Sequence, residues 1–228
     1  MKNWDRKVST KINGIGGSFF TYGLRIFSFL GRETIWLLLI AFYIFIWLEP
    51  IIFINIGCAY LLGILLIAPL KTLIRRERPF KEITEIIVSG RKPSSGSFPS
   101  WHAYNIVSQS IIFIHIFRSS LLIPVLFFLI GIVCFSRIQL GVHYLSDVLI
   151  GILIGVVGGF STIMIISPLF LGIFSKIQEM NPELFQTTLQ TINPMFFHNF
   201  LYLSLCVLIF GAIILLGSYK FLKRLGEQ

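Results

Sequence analysis

Apolar and polar stretches alternate along this chain on the length scale of a membrane crossing. Thr34 to Ile74 is almost unbroken apolar sequence. As a single helix its 41 residues would extend roughly 60 Å, about twice the hydrocarbon thickness of a bilayer. The run must therefore fold back, and Glu49-Pro50 is the only charged interruption and the only sharp breaker before Pro69. This predicts a short first helix over about 34–48 and a longer second over about 50–74. The stretch 75–100 is polar, basic and rich in turn residues, which predicts a surface loop. A third helix is expected over about 101–117, with a turn at Arg118-Ser119-Ser120. A fourth follows over about 121–138, and a fifth over about 142–167 ends at Ser167-Pro168.

In the fifth segment Gly151, Gly155 and Gly159 recur every four residues, a spacing that lets a neighbouring helix approach closely. Residues 168–195 read as an interfacial segment, because Lys176, Glu179 and Glu183 alternate with apolar positions and Pro182 and Pro194 interrupt it. The last span is expected over 196–219, apolar to about 217 and followed by the basic tail of Lys220, Lys223 and Arg224. The first 30 residues carry Phe19, Phe20, Ile26, Phe27 and Phe29 among Gly and Arg, the pattern of a helix lying on a membrane surface. The expected fold is all-α: an integral membrane six-helix bundle with an N-terminal interfacial helix. It forms a single domain over 1–228, with its core over about 34–167.

Composition narrows the class. Hydrophobic residues make up 55% of the 228 and charged residues 13%, against about 25% charged in an ordinary soluble domain. Mean hydropathy is +0.85. A soluble fold of this size lacks the interior to hide that much apolar surface, which excludes a soluble enzyme, a disordered chain and a small disulfide scaffold. Cys58, Cys134 and Cys206 lie far apart inside apolar runs, without metal-ligand spacing, and read as small core residues. The net charge of +9 sits in short loops beside apolar runs. That is the pattern of membrane topology and lipid headgroups, not of nucleic-acid binding. Met1 to Lys11 is charged and has no apolar stretch of signal-peptide length.

Threading six spans up and down brings four segments to one side: the end of the second helix, the start of the third, the end of the fourth and the start of the fifth. They carry Lys71 and Arg78-Pro79, then Pro99-Ser100-Trp101-His102, then Ser136-Arg137, and then His143 with Asp147. Taken singly, each cation reads as a topology anchor whose side chain reaches the interface. Asp147 is different, because an ionisable group one turn inside an apolar helix is costly without a partner. His143 and Asp147 are four apart, hence on one helical face, and an Asp that fixes an imidazole tautomer makes a His a nucleophile or base.

Lys71-x6-Arg78-Pro79, Pro99-Ser100-Trp101-His102 and Ser136-Arg137-x5-His143-x3-Asp147 resemble the three signature motifs of the type 2 phosphatidic acid phosphatase (PAP2) family of membrane lipid phosphate phosphatases. Polyprenyl-diphosphate phosphatases and, more distantly, glucose-6-phosphatase and vanadium haloperoxidases share that superfamily. The resemblance covers 71–147 by motif and roughly 15–167 by helix order. One position departs: Trp101 stands where the family has Gly, adding bulk beside a backbone amide that could otherwise approach a phosphate oxygen.

The resemblance implies that His143 attacks phosphorus to form a phosphohistidine, that Asp147 orients it, and that His102 protonates the leaving oxygen and then activates water. It further implies that Lys71, Arg78 and Arg137 hold the phosphate oxygens with Ser100 and the Trp101 amide. Concentrated positive charge suits a phosphomonoester dianion. No His/Asp/Glu cluster has metal-ligand spacing, so neither a metal nor another cofactor is expected. His115, in the middle of the third helix, is expected to hydrogen-bond within the bundle, and His198 to have no catalytic role. Arg75 and Arg76 are assigned to headgroup anchoring.

The side bearing these motifs carries 17 Lys and Arg residues against two, Arg118 and Lys176, on the other. Setting Lys71, Arg78 and Arg137 aside still leaves 14 against two, which places the site and both termini in the cytoplasm. Most bacterial relatives resemble the opposite case. The expected substrate is an amphiphile entering from the lipid: phosphatidic acid, phosphatidylglycerophosphate, a polyprenyl mono- or diphosphate, or a phosphorylated glycolipid. Two other readings use the same residues: a phosphotransferase passing the phosphoryl group to a lipid hydroxyl, and a non-catalytic membrane protein of the same fold.

Overall fold

The structure, a computed structural model, describes residues 3–90, 92–182, 192, 193 and 195–225, with side chains as far as 217. It is all-helical, and among the described residues its only β pairing is an isolated bridge between Trp47 and Ile192. The helices are α1 (Asn3–Ile12), α2 (Gly17–Ser28), α3 (Glu33–Ala41), α4 (Pro50–Ile74), α5 (Pro79–Glu82), α6 (Trp101–Phe117), α7 (Leu122–Gln139), α8 (Leu145–Ser161), α9 (Ser167–Met180), α10 (Met195–His198) and α11 (Phe200–Leu225). Among the described residues four stretches are long and apolar enough to cross a membrane: Pro50–Glu82, Leu122–Gln139, Leu145–Met180 and Phe200–Gly217. A fifth is added if the broken pair Gly17–Gly31 and Glu33–Ile46 counts as one span. The protein is an integral membrane protein.

The chain divides into two compact units, Met1–Arg32 with Ala59–Thr162, and Glu33–Cys58 with Ile163–Gln228. In the second unit α3 continues as a π-helix over Phe42–Ile46 and packs on α11, where Gly217 passes so close to Thr34 that a Cβ would stand 2.5 Å from Oγ1. Tyr202 fastens the same unit, donating its hydroxyl proton to the Phe45 carbonyl (2.7 Å) while accepting from Asn193 Nδ2 (2.9 Å).

All three motifs belong to the first unit. Its centre is the pairing of α6 with α8, made possible by the glycines of α8. A Cβ on Gly151 would lie 2.6 Å from the Ser100 carbonyl oxygen, and one on Gly155 2.9 Å from that of Tyr104. Gly159 lies against Ser108 and Ile111 in the same way. Backbones this close let the Ser100 N–H reach the Asp147 carbonyl across the helix pair (2.9 Å). The turn from α7 into α8 depends on Gly141, at φ +73° and with Ile86 pressed against it. This left-handed residue closes α7 and lets the His143 N–H bond back to the Arg137 carbonyl (3.1 Å).

Two expectations change. The helix expected to stop at Ser167-Pro168 does not stop: α8 passes through a π-helix over Thr162–Ile166 and continues as α9 to Met180. A proline in the first turn after a π-bulge neither loses a required N–H bond nor meets a fixed carbonyl behind it, so it breaks nothing. The N-terminal interfacial helix is two helices, not one. The part of the expected interfacial segment over 183–191, with Pro194, falls outside the described residues.

The close approach of α6 and α8 generates a stability prediction. Gly151→Ala should destabilise the detergent-solubilised protein by about 1–3 kcal/mol through overpacking. Gly131→Ala on α7, where a Cβ would meet nothing within 4 Å, should cost nothing measurable in the same thermal melts.

Candidate active site

Arg78 holds the centre of the polar cluster. It stands at the end of the extended stretch between α4 and α5 and is 3% exposed. Its Nε donates to the Ser95 carbonyl (2.8 Å), its Nη2 to the Gly96 carbonyl (3.1 Å) and its Nη1 to the Val142 carbonyl (2.7 Å). The same Nη1 lies 3.2 Å from His143 Nε2. A guanidinium can only donate, so the Nε2 facing it is the unprotonated nitrogen of a neutral ring, and the proton sits on Nδ1. That Nδ1 faces Asp147 Oδ2 at 3.6 Å. Lys71, on the last turn of α4, donates from Nζ to the Gly96 carbonyl (2.9 Å) and lies within electrostatic reach of Arg78, Arg137 and Asp147. Arg137, on the last turn of α7, donates from Nη1 to Ser28 Oγ on α2 (2.5 Å).

His102 occupies the first turn of α6, within electrostatic reach of Arg137, Arg78, Arg32 and His143. Gly31 presses on it so closely that a Cβ would stand 2.8 Å from the His102 Cβ. Ser100 is fully buried and caps α6, its Oγ accepting from the Ala103 N–H (3.4 Å). Trp101 stacks its indole on Tyr104 (centroids 5.8 Å apart) and meets Tyr60 edge-on (5.8 Å), so a packed aromatic group takes up the bulk that replaces the family's glycine.

Every residue expected at the site is thus in one unit: Lys71, Arg78, His102, Arg137, His143 and Asp147 lie within electrostatic reach of partners in the set, while the Ser100 and Trp101 side chains cap α6 and stack on Tyr104. Others in the cluster carried no such expectation. Arg76 is no headgroup anchor: its Nη1 donates to Asp147 Oδ1 (2.6 Å) and to Ser146 Oγ (2.6 Å), its Nη2 to Asp5 Oδ2 (2.6 Å), and its guanidinium covers the Tyr144 ring at 4.2 Å. Nothing in the local sequence marks Arg76, Asp5 or Ser28, because the partners of each lie far away along the chain. His115 is exposed on α6 instead of bonding inside the bundle.

Known proteins can now be set beside this geometry. The PAP2 superfamily model matches residues 52–171. The chain belongs to the PAP2 superfamily. It is 27% identical over 169 residues to lipid A 4'-phosphatase of Bacteroides thetaiotaomicron, covering 68% of this chain and 73% of that protein. It is 28% identical over 164 residues to undecaprenyl-diphosphatase of Sulfolobus acidocaldarius, covering 69% and 75%. Among solved structures, Aquifex aeolicus LpxE superposes with a TM-score of 0.59 at 22% identity, over 69% of this chain and 93% of that one. The first transmembrane PAP2-type phosphatidylglycerolphosphate phosphatase from Bacillus subtilis gives 0.55, also at 22% identity, over 70% and 82%. The PAP2 fold is shared with both.

Burial, reinforced by the charges of Arg78, Arg137 and Lys71, holds His143 well below its ordinary pKa. A depressed pKa keeps the ring neutral through neutral pH and moves its protonation to lower pH. Replacing a nearby cation by a neutral group must raise it again. In NMR titrations of imidazole-labelled protein, the His143 midpoint should lie below that of an exposed histidine and rise in Lys71→Gln.

Proposed function

We propose that this chain is a membrane phosphatase that hydrolyses a lipid phosphate monoester or diphosphate through a phosphohistidine. The observation that carries the reading is the placement of the unprotonated His143 Nε2 against Arg78, 3.2 Å from Nη1, with Asp147 behind the other ring nitrogen. A nucleophile must lie beside the group that holds its electrophile, and guanidinium with ammonium is the donor set suited to three phosphoryl oxygens.

Phosphate enters among Lys71, Arg78 and Arg137, and the first-turn amides of α6, Trp101's among them, add donors at a helix N-terminus. His143 Nε2 attacks phosphorus as the bond to the leaving oxygen breaks, and His102 gives that oxygen its proton. Positive charge growing on the ring is balanced by Asp147 at Nδ1. His102 then takes a proton from water, whose oxygen attacks the phosphohistidine and frees phosphate and His143. The cations supply the transition-state stabilisation that a metal ion provides elsewhere, so turnover proceeds without one.

The curated relatives are named for lipid A and undecaprenyl diphosphate, and a third, 38% identical over 90 residues and covering 40% of this chain and 48% of the relative, for decaprenylphosphoryl-5-phosphoribose. They support an amphiphilic phosphate as substrate. The excess of Lys and Arg on the motif-bearing side supports a cytoplasmic active site.

Purified protein should release phosphate from at least one of dioctanoyl phosphatidic acid, farnesyl diphosphate and a phosphorylated lipid A, unaffected by chelator. His143→Ala and His102→Ala should each lower kcat by about a thousandfold or more. Alkali-quenched His102→Ala should retain labelled phosphohistidine, whose P–N bond survives base, and a wild-type chain inactive on all three lipids contradicts the reading. A reporter enzyme fused to the C-terminus should be active only in a form that works in the cytoplasm.

A further inference from the structure

We propose that Asp5 is a positioning residue for this site, acting through Arg76 to set the orientation and charge of Asp147, and so of His143; the proposal rests on His143 being the nucleophile. Asp5 belongs to α1 and is 2% exposed, although it sits on a short polar helix where a carboxylate would ordinarily face water. Its Oδ2 takes Arg76 Nη2 (2.6 Å) and the Ser146 hydroxyl, and its Oδ1 the Ser146 N–H (3.2 Å). The first turn of α8 is therefore held, at the residue before Asp147, by a carboxylate 141 positions earlier in the chain.

The guanidinium of Arg76 lies between two buried carboxylates, Asp5 and Asp147. Asp147 has both oxygens engaged, Oδ1 by Arg76 Nη1 (2.6 Å) and Oδ2 by the Tyr144 N–H (2.9 Å), so its orientation toward His143 Nδ1 is fixed. Sharing the cation matters electrostatically. An Arg76 paired with Asp147 alone would neutralise most of the charge that Asp147 offers to Nδ1–H, and the imidazolium formed during attack would lose its counter-ion. Asp5 takes up half of the guanidinium and leaves Asp147 anionic in effect as well as in form.

Further bonds keep α1 in register: Arg6 Nη2 donates to the Glu82 carbonyl (3.1 Å), and Asn13 Nδ2 to the Ile87 and Gln139 carbonyls (3.0 Å each). These tie α1 and the residue after it to the end of α5, the loop that follows and the end of α7 independently of Asp5, so losing the Asp5 charge need not undock it.

Asp5→Asn keeps shape and hydrogen-bonding capacity while removing the charge. On whichever of dioctanoyl phosphatidic acid, farnesyl diphosphate and phosphorylated lipid A the wild type hydrolyses, it should lower kcat about tenfold, the scale of one coupled pair in a network, with KM within about twofold. In an Asp147→Asn background it should cost nothing further, because Asp5 acts only through Asp147. Should Asp5→Asn fail to accumulate in membranes, Arg76→Lys carries the same test: one ammonium cannot span both carboxylates, so the same kcat loss and the same non-additivity are expected. A variant that lowers only the melting temperature, raises only KM, or multiplies with Asp147→Asn overturns the proposal. Full activity in His143→Ala, or a wild-type chain inactive on all three lipids, instead overturns the phosphatase reading on which it rests.

Discussion

Like charges repel, and this fold holds Lys71, Arg78 and Arg137 together at the end of a helical bundle, with two imidazoles and the Asp147 carboxylate beside them. Arg78 is tied down by the carbonyls of Ser95, Gly96 and Val142 and Lys71 by the same Gly96 carbonyl, and those dipoles hold the cations where they would otherwise separate. Such a concentration of positive charge suits an anion. On the proposed reading, a bound phosphate group relieves the repulsion, and the relief grows as charge spreads over the equatorial oxygens during transfer.

What brings the cluster together is backbone proximity more than side-chain reach. The glycines of α8 let it lie against α6, the Ser100 N–H then bonds the Asp147 carbonyl, and the second and third motifs become parts of one surface. Gly141 turns the end of α7 so that His143 returns beside Arg137. The loop joining α4 to α6 wraps its own carbonyls around Arg78 and Lys71, which is why a stretch that reads as a polar surface loop contains buried Arg78, Ser97 and Ser100.

Local signals were legible in the sequence, and signals that depend on distant partners were not. Pro50 and the Ser100-Trp101 boundary delimit α4 and α6 as expected, because a proline or a capping serine acts within one turn. The glycine spacing announced a close helix approach without naming α6 as the partner. Ser167-Pro168 misled, because a proline's effect depends on the helical bonds behind it and a π-bulge had already altered them. The three motifs announced their own residues. Arg76 reads as one more basic residue near a membrane until α1 supplies Asp5, whose 71-residue separation from it leaves no pattern in a single chain.

The central claim is that His143 Nε2 and the three cations address one tetrahedral group. A structure of the protein with vanadate, a mimic of the five-coordinate phosphoryl transition state, tests this most directly. The account predicts vanadium bonded to His143 Nε2, with equatorial oxygens on Lys71, Arg78 and Arg137 and His102 beside the oxygen opposite the bond. Vanadate bound elsewhere, or held by the cations with His143 turned away, would contradict it.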